Sequence, residues 1–240
     1  MLQAVFFDLD DTLVAWDMVA DQSWKKVCWD FASVVGGLNA DELYTVLDEV
    51  RAWYLSDKER HQQARLNLEV YRREVVTMAL TRLGVDAANL ADEIAKAYGI
   101  ERENAACILP DAIDTLKFFK NSDTRLALIS NGAGSAQRRK IDRFGLASFF
   151  DYILIEGEFG FGKPDSKVFT HALKKCGVSA EDTWMVGDDL ERDIGGAQNI
   201  GIHGIWVDWR GYGLPKSTFV RPDRIVKSIS ALIKSGFWEA

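Results

Sequence analysis

Five short apolar runs each stop at a polar or glycine residue. They are Ala4-Val5-Phe6-Phe7 before Asp8, Leu126-Ala127-Leu128-Ile129 before Ser130-Asn131-Gly132, Tyr152-Ile153-Leu154-Ile155 before Glu156-Gly157, Thr183-Trp184-Met185-Val186 before Gly187-Asp188-Asp189, and Gly204-Ile205-Trp206-Val207 before Asp208. Runs this short, with no polar alternation, read as strands buried on both faces. Helical patterns are expected over Asp111–Lys120, Ser135–Phe144, Pro164–Cys176, Asp193–Asn199 and Pro222–Lys234, the last closing at Gly236. Pro164 is expected in the first turn of its helix and Gly177 at its end. Strands alternating with helices through short loops make an α/β fold, a parallel sheet with helices on both faces.

Residues 16–104 break the alternation. Asp17–Val35, Ala40–Leu55, Asn67–Leu83 and Ala88–Tyr98 all read as helices, punctuated by Gly36-Gly37 and Gly84. Asn39 stands as an N-cap with Glu42 three residues on. The expected organisation is a core of residues 1–15 and 105–240 carrying an inserted all-helical domain, 16–104. At 240 residues either arrangement of one large or two smaller domains buries a core without covalent staples. The insert holds eleven basic and sixteen acidic residues, a net −5 within a whole-chain charge of −7. That balance argues against nucleic acid or an anionic membrane as partner. No apolar run approaches the roughly 20 residues that span a bilayer, and the N-terminus lacks a basic leader. Cys28, Cys107 and Cys176 are too scattered for a disulfide framework. A cytoplasmic protein is expected, a monomer or homodimer.

The chemistry-bearing residues follow the apolar runs. Asp8-Leu9-Asp10-Asp11-Thr12-Leu13 puts three carboxylates in four positions directly after a buried strand. Asp8 and Asp10, two apart in extended chain, point to one side. Their repulsion calls for a cation or a shared proton, unless the segment is only a solvated acidic turn. Gly187-Asp188-Asp189-Leu190-Glu191-Arg192-Asp193 repeats the pattern. In a parallel sheet all strand C-termini share one edge, so Asp8, Asp10 and Asp188 can converge there with Asp189 or Asp193. Oxygen ligands without clustered His or Cys favour Mg2+. Asp193 can alternatively be a helix N-cap. Ser130-Asn131-Gly132 supplies a hydroxyl and backbone N–H groups suited to phosphate, or a plain turn. Lys163, in Gly160-Phe161-Gly162-Lys163-Pro164-Asp165, is a cation just ahead of a helix N-terminus, where positive charge is unfavourable. That placement points to an anionic partner.

These four segments, in this order, resemble the four motifs of the haloacid dehalogenase (HAD) superfamily, over the chain start and roughly residues 105–210. The insert resembles that superfamily's helical C1 cap. The resemblance implies a Rossmann-like core, with Asp8 as nucleophile and Asp10 as general acid/base. It implies Ser130 and Asn131 with Lys163 as phosphate-binding residues, and Asp8, Asp10 and Asp188 as Mg2+ ligands supported by Thr12, Asp189 and Asp193. Halide needs no proton to leave, so Asp10 disfavours dehalogenation, and Asp10 with Thr12 is similar to the phosphatase pattern. The expected activity is phosphomonoester hydrolysis of a small phosphorylated metabolite. Phosphosugar mutase, haloacid dehalogenase and a non-catalytic binding scaffold are the alternatives.

Substrate choice is assigned to the insert, where Trp16, Trp24, Arg51, His61, Arg65, Tyr71 and Arg72 are candidates. For the aromatics the competing reading is core packing, and for the arginines a solvated helix face. His61, His171 and His203 have no metal spacing. Arg138-Arg139-Lys140 reads as a solvated helix face. Trp206, Trp209 and Arg210 follow the last core run, with no assigned mechanism.

Overall fold

The computed structural model describes residues 2–33, 38–86, 89–234 and 237–238. The chain divides into two compact units, residues 1–15 with 108–240, and residues 16–107. Two short strands, β2 (Val14–Ala15) and β3 (Cys107–Ile108), mark where the chain leaves and re-enters the first unit.

The first unit is built on a six-stranded parallel sheet. It comprises β1 (Ala4–Phe7), β4 (Arg125–Ser130), β5 (Tyr152–Ile155), β6 (Thr183–Gly187), β7 (His203–Val207) and β8 (Arg224–Val226), in the order β5-β4-β1-β6-β7-β8. All four residues of β1 are buried, because the strand sits mid-sheet with both faces covered. On one face Ala4, Phe6, Ala127, Ile129 and Met185 pack with Val168, Phe169 and Ala172 of α9 (Ser166–Cys176), the helix after the one-turn α8 (Glu156–Phe159). On the other, the Phe7 ring lies 6.1 Å from Phe119 of α6 (Ala112–Lys120). The chain runs from β1 outward to β4 and β5, then crosses back to β6. The strand order therefore reverses beside β1, the position where open α/β sheets bind ligands.

Two expectations for this unit, and one open alternative, are corrected. Pro164 precedes its helix: Asp165 is the N-cap, its carboxylate accepting from Lys167 N–H at 2.9 Å, and α9 begins at Ser166. The N-cap after β6 is Asp189, not Asp193. No helix spans Pro222–Lys234 among the described residues. Arg224–Val226 joins the sheet beside β7, and only a short 3-10 turn, Ile229–Ile233, follows. Asp223 anchors the change by accepting from Gly204 N–H at 2.7 Å and the Gln198 amide at 2.9 Å. A sheet edge needing partners outweighs a helical pattern in a short segment. Gly236 lies outside the described residues.

The second unit holds α1 (Ala20–Ala32), α2 (Ala40–Leu55), α3 (Lys58–Leu66), α4 (Leu68–Arg82) and α5 (Leu90–Ala105). Its core gathers Trp24, Val27, Leu43, Leu47, Val50, Val75, Val76, Leu80, Ile94 and Tyr98. Asn39 caps α2 as expected, accepting from Glu42 N–H at 3.0 Å. Helix α3 has no apolar stripe, since only Ala64 of its nine residues is buried. It forms on a cap and a tether: Asp57 accepts from Arg60 N–H, and the Arg60 guanidinium donates to the Trp53 and Tyr54 carbonyls at the end of α2. Helix α5 runs seven residues past Tyr98, so the return to the core falls at 108 rather than 105. Gly36-Gly37, Val35 and Ala88 lie outside the described residues. Among those described, no helix is long and apolar enough to cross a membrane.

Candidate active site

Asp8 is the first residue beyond β1, and its N–H continues the ladder to the Val186 carbonyl at 2.9 Å. Its carboxylate oxygen Oδ1 lies 2.5 Å from Lys163 Nζ, which also meets Asp193 Oδ1 at 2.7 Å. All three side chains are buried. Asp8, Asp188 and Asp193 each place a carboxylate oxygen within 4.8 Å of the others. Gly187 makes this approach possible, because a Cβ there would collide with the Asp193 carboxylate.

Fully ionised, three carboxylates against one ammonium leave two negative charges in excess in a buried place. Burial pushes the Asp8 carboxyl up to about 7, with Asp193 and Asp10 adding to the rise and Lys163 opposing it. Burial and then Asp8, Asp193, Asp11 and Asp189 push Asp188 up to about 9. Asp193 is raised by burial although Lys163 holds it. Burial alone would lower Lys163, yet Asp193 and Asp8 outweigh it and keep the ammonium above the usual lysine range. An all-oxygen donor set with two excess charges fits a hard divalent cation.

The electrostatics set a pH dependence. Carboxylates raised in the folded state cost nothing below their unfolded value near pH 4, and destabilise progressively as pH climbs through the folded values. The metal-free protein is therefore expected to melt at steadily lower temperature from pH 5 to pH 9, through about 7 for Asp8 and about 9 for Asp188. Carboxylates held low, such as Asp151, Asp189 and Asp223, act only in the acid range and do not offset this. Mg2+ is expected to widen its stabilisation over the same interval, and Asp188→Asn to flatten the metal-free profile. Melting curves with EDTA and with Mg2+ at each pH check it; a flat metal-free profile for the unsubstituted protein would count against the cluster.

Asp10 faces other partners. The sequence puts Asp10 among the metal ligands; the structure seats its carboxylate on Lys140 and on Gln137 Nε2, the latter at 3.0 Å, while Asp193 completes the acidic triad. The same Gln137 amide nitrogen lies 2.6 Å from Ser130 Oγ and 2.8 Å from the Asn131 carbonyl. A Ser130 oxygen that accepts from Gln137 keeps its own proton to donate. The Asn131 side chain has partners of its own. It donates to the Lys163 carbonyl and accepts from Lys163 N–H, both at 2.8 Å, clamping the loop after β4 to the segment that carries Lys163. Asp189 turns to Glu191 N–H, Arg192 N–H and the Arg192 guanidinium. Thr12 is fully buried and its hydroxyl has no partner among the described residues. Asp11 takes a left-handed φ of 58°, donating to the Val14 carbonyl in a tight turn, a conformation aspartate tolerates.

Gln137 and Lys140, which contact Asp10, are site positions that the sequence does not by itself reveal. They lie three apart on α7 (Gly134–Arg143), beside its buried Ala136 and Ile141, so the basic run is not uniformly solvated: Lys140 is buried while Arg138 pairs with Glu158 at the surface. Their position beside the apolar stripe was the available signal. Trp206 also borders the site, its indole N–H donating to the Asp188 carbonyl at 2.8 Å. Buried Glu156 accepts from Gly132 N–H at 2.9 Å, so that amide is committed to the loop.

The sequence model of the haloacid dehalogenase-like hydrolases matches residues 2–201. A phosphoserine phosphatase from Thermus thermophilus is 38% identical over 138 residues, covering 58% of this chain but only 55% of that protein. A glyceraldehyde 3-phosphate phosphatase from Methanopyrus kandleri is 31% identical over 207 residues, covering 84% of this chain and 82% of that one. Among solved structures, a 2-haloacid dehalogenase from Pseudomonas syringae pv. Tomato DC3000 superposes with a TM-score of 0.63 at 29% identity, covering 97% and 96% of the two chains. With five-sixths of the sequence matched by the family and the Asp8–Lys163–Asp193 arrangement at the switch point of its sheet, this chain belongs to the haloacid dehalogenase-like hydrolases.

Proposed function

We propose that this hydrolase is a Mg2+-dependent phosphomonoesterase working through an aspartyl-phosphate on Asp8. The observation that carries the reading is the buried Lys163 ammonium shared between Asp8 and Asp193, beside Asp10, which has a separate set of partners. Lys163 favours the ionised form of Asp8 against burial, aims it, and offers charge to the equatorial oxygens of a phosphoryl group. Asp8 forms a bond to phosphorus as the ester P–O bond breaks. Asp10, when protonated, gives its proton to the leaving alkoxide, and as carboxylate takes one from the water that releases Asp8. Ser130, its oxygen accepting from Gln137, donates to a phosphoryl oxygen. Asp8, Asp188 and Asp193 would hold Mg2+, which when bound shields the like charges of nucleophile and phosphate dianion.

The likeness to a 2-haloacid dehalogenase supports a second reading on the same scaffold. Asp10 argues against it, because a departing halide needs no proton, whereas an alkoxide does. The named relatives support small phosphorylated metabolites, with phosphoserine and glyceraldehyde 3-phosphate first in a substrate panel.

Steady-state hydrolysis of an aryl phosphate tests the reading. Turnover with Mg2+ is expected to fall at least about 100-fold with EDTA and to return when Mg2+ is restored. Chloride release from 2-chloropropionate without phosphate release from any ester would transfer the assignment to dehalogenation. Turnover indifferent to EDTA would remove the metal from it.

A further inference from the structure

Two helices of the second unit carry arginine where their buried stripes call for apolar side chains. On α4 the buried positions are Tyr71, Arg72, Val75, Val76, Ala79 and Leu80, and on α5 they are Ala91, Ile94, Ala95, Tyr98, Gly99 and Arg102. Arg72 and Arg102 are each only 7% exposed. Both guanidinium carbons approach the same Tyr98 ring, at 5.3 and 5.8 Å from its centroid. Trp24 stacks on that ring at 3.5 Å.

The two arginines differ in what holds them. Arg102 is paired with Asp17 and lies 4.4 Å from the Trp16 ring. The Arg72 guanidinium makes no hydrogen bond or ion pair with any described residue, and its Nε is a buried donor without an acceptor. A guanidinium offers five donors in a planar fork, and leaving it buried without an acceptor is costly. The chain nevertheless makes room for it. Gly99 stands in mid-helix, where glycine costs about 1 kcal/mol against alanine. A Cβ at that position would come within 2.6 Å of Arg72 Nη1. Acids are not scarce in this unit, with sixteen against eleven basic residues, yet Glu103 and Glu69 act on Arg72 only at longer range, and no described acid forms an ion pair with it. The reading of Arg72 as part of a solvated helix face is corrected by its burial.

We propose that Arg72 is the anchor of an oxyanion-binding site within the helical unit, floored by Tyr98 and stacked Trp24, which takes a carboxylate or phosphate group from a ligand. Arg102 adds positive potential at the same ring. The guanidinium fork matches the two oxygens of such a group, and the ligand supplies the acceptors that the protein withholds. The ligand is a small organic acid.

The test uses the full chain and succinate, in metal-free buffer where the carboxylates of the first unit repel anions. In 15N-tryptophan-labelled protein, with Trp24 assigned by Trp24→Phe, succinate is expected to shift the Trp24 indole resonance saturably at matched ionic strength. Arg72→Met is expected to raise the half-saturating concentration at least about tenfold, the loss of charge-assisted hydrogen bonds. It should also melt no lower than the parent, because it removes an uncompensated buried charge. Arg72→Lys, which keeps the charge and loses the fork, serves if Arg72→Met does not fold, and should weaken binding several-fold. An unchanged succinate response in these variants, or no saturable response in the unsubstituted chain, would overturn the site. The indole titration needs no turnover, so it stands or falls independently of the hydrolase reading.

Discussion

Asp8→Asn is expected to lower kcat toward an aryl phosphate by at least about 10^4-fold, the scale on which removing a covalent nucleophile acts. The amide keeps the shape of the carboxylate and cannot attack phosphorus. The same substitution is expected to raise the melting temperature of the metal-free protein at pH 8. Asp8 is one of three clustered carboxylates with a single ammonium beside them, and burial pushes its carboxyl up to about 7, so its ionised form weakens the fold at that pH. Lys163 is not stranded by the change, because Asp193 still meets it at 2.7 Å. Stabilisation by Mg2+ should shrink as one ligand loses its charge. Rapid quenching with a phosphorus-labelled ester should trap acid-stable phosphoprotein in the parent enzyme and none in the variant. A variant retaining more than about 1% of turnover would place the nucleophile elsewhere.

The parts of the molecule legible in the sequence are those where local pattern and tertiary demand agree. β1 is four apolar residues stopped by acids, and mid-sheet burial asks for just that. Asn39 is legible because a cap acts within one turn. Asp8, Asp188 and Lys163 stand at strand ends or just before a helix, where an apolar or neutral residue would otherwise serve. What escaped depends on long-range neighbours. The Lys140 chain reaches Asp10 from 130 residues away, and nothing in Arg138-Arg139-Lys140 says which cation turns inward. The Trp206 indole finds the Asp188 carbonyl only once β6 and β7 are side by side. The sixth strand is hidden because Arg224–Val226 is only three residues long, too short for its two β-branched residues to outweigh the helical pattern around them until β7 offers an open edge. Asn131 shows the same limit in chemistry: nothing in Ser130-Asn131-Gly132 says that its side chain clamps the Lys163 backbone through two hydrogen bonds.

Lys163→Met tests the ion pair from its other side, and its two effects separate charge from position. It is expected to lower kcat roughly 10^3-fold, since the ammonium both aims Asp8 and meets charge developing on the phosphoryl oxygens. At pH 8 without metal it should also destabilise the fold by about 3–5 kcal/mol, the cost of stripping a buried partner from its charges. For a chain of this size that corresponds to a fall in Tm of roughly 10 °C. The sign is opposite to that of Asp8→Asn, because one change removes excess negative charge and the other adds to it. The fall should be smaller at pH 5, where Asp8 and Asp188, raised to about 7 and about 9, carry protons and need no counterion. Mg2+ should recover much of the lost stability, as two charges offset the three carboxylates. It should recover little of kcat, because on the proposed reading the Lys163 ammonium, 2.5 Å from Asp8 and 2.7 Å from Asp193, aims the nucleophile and donates to phosphoryl oxygens, which a charge-compensating cation would not do. If Mg2+ restored turnover along with Tm, Lys163 would be only a counterion, and its role at the phosphoryl group would have to be withdrawn.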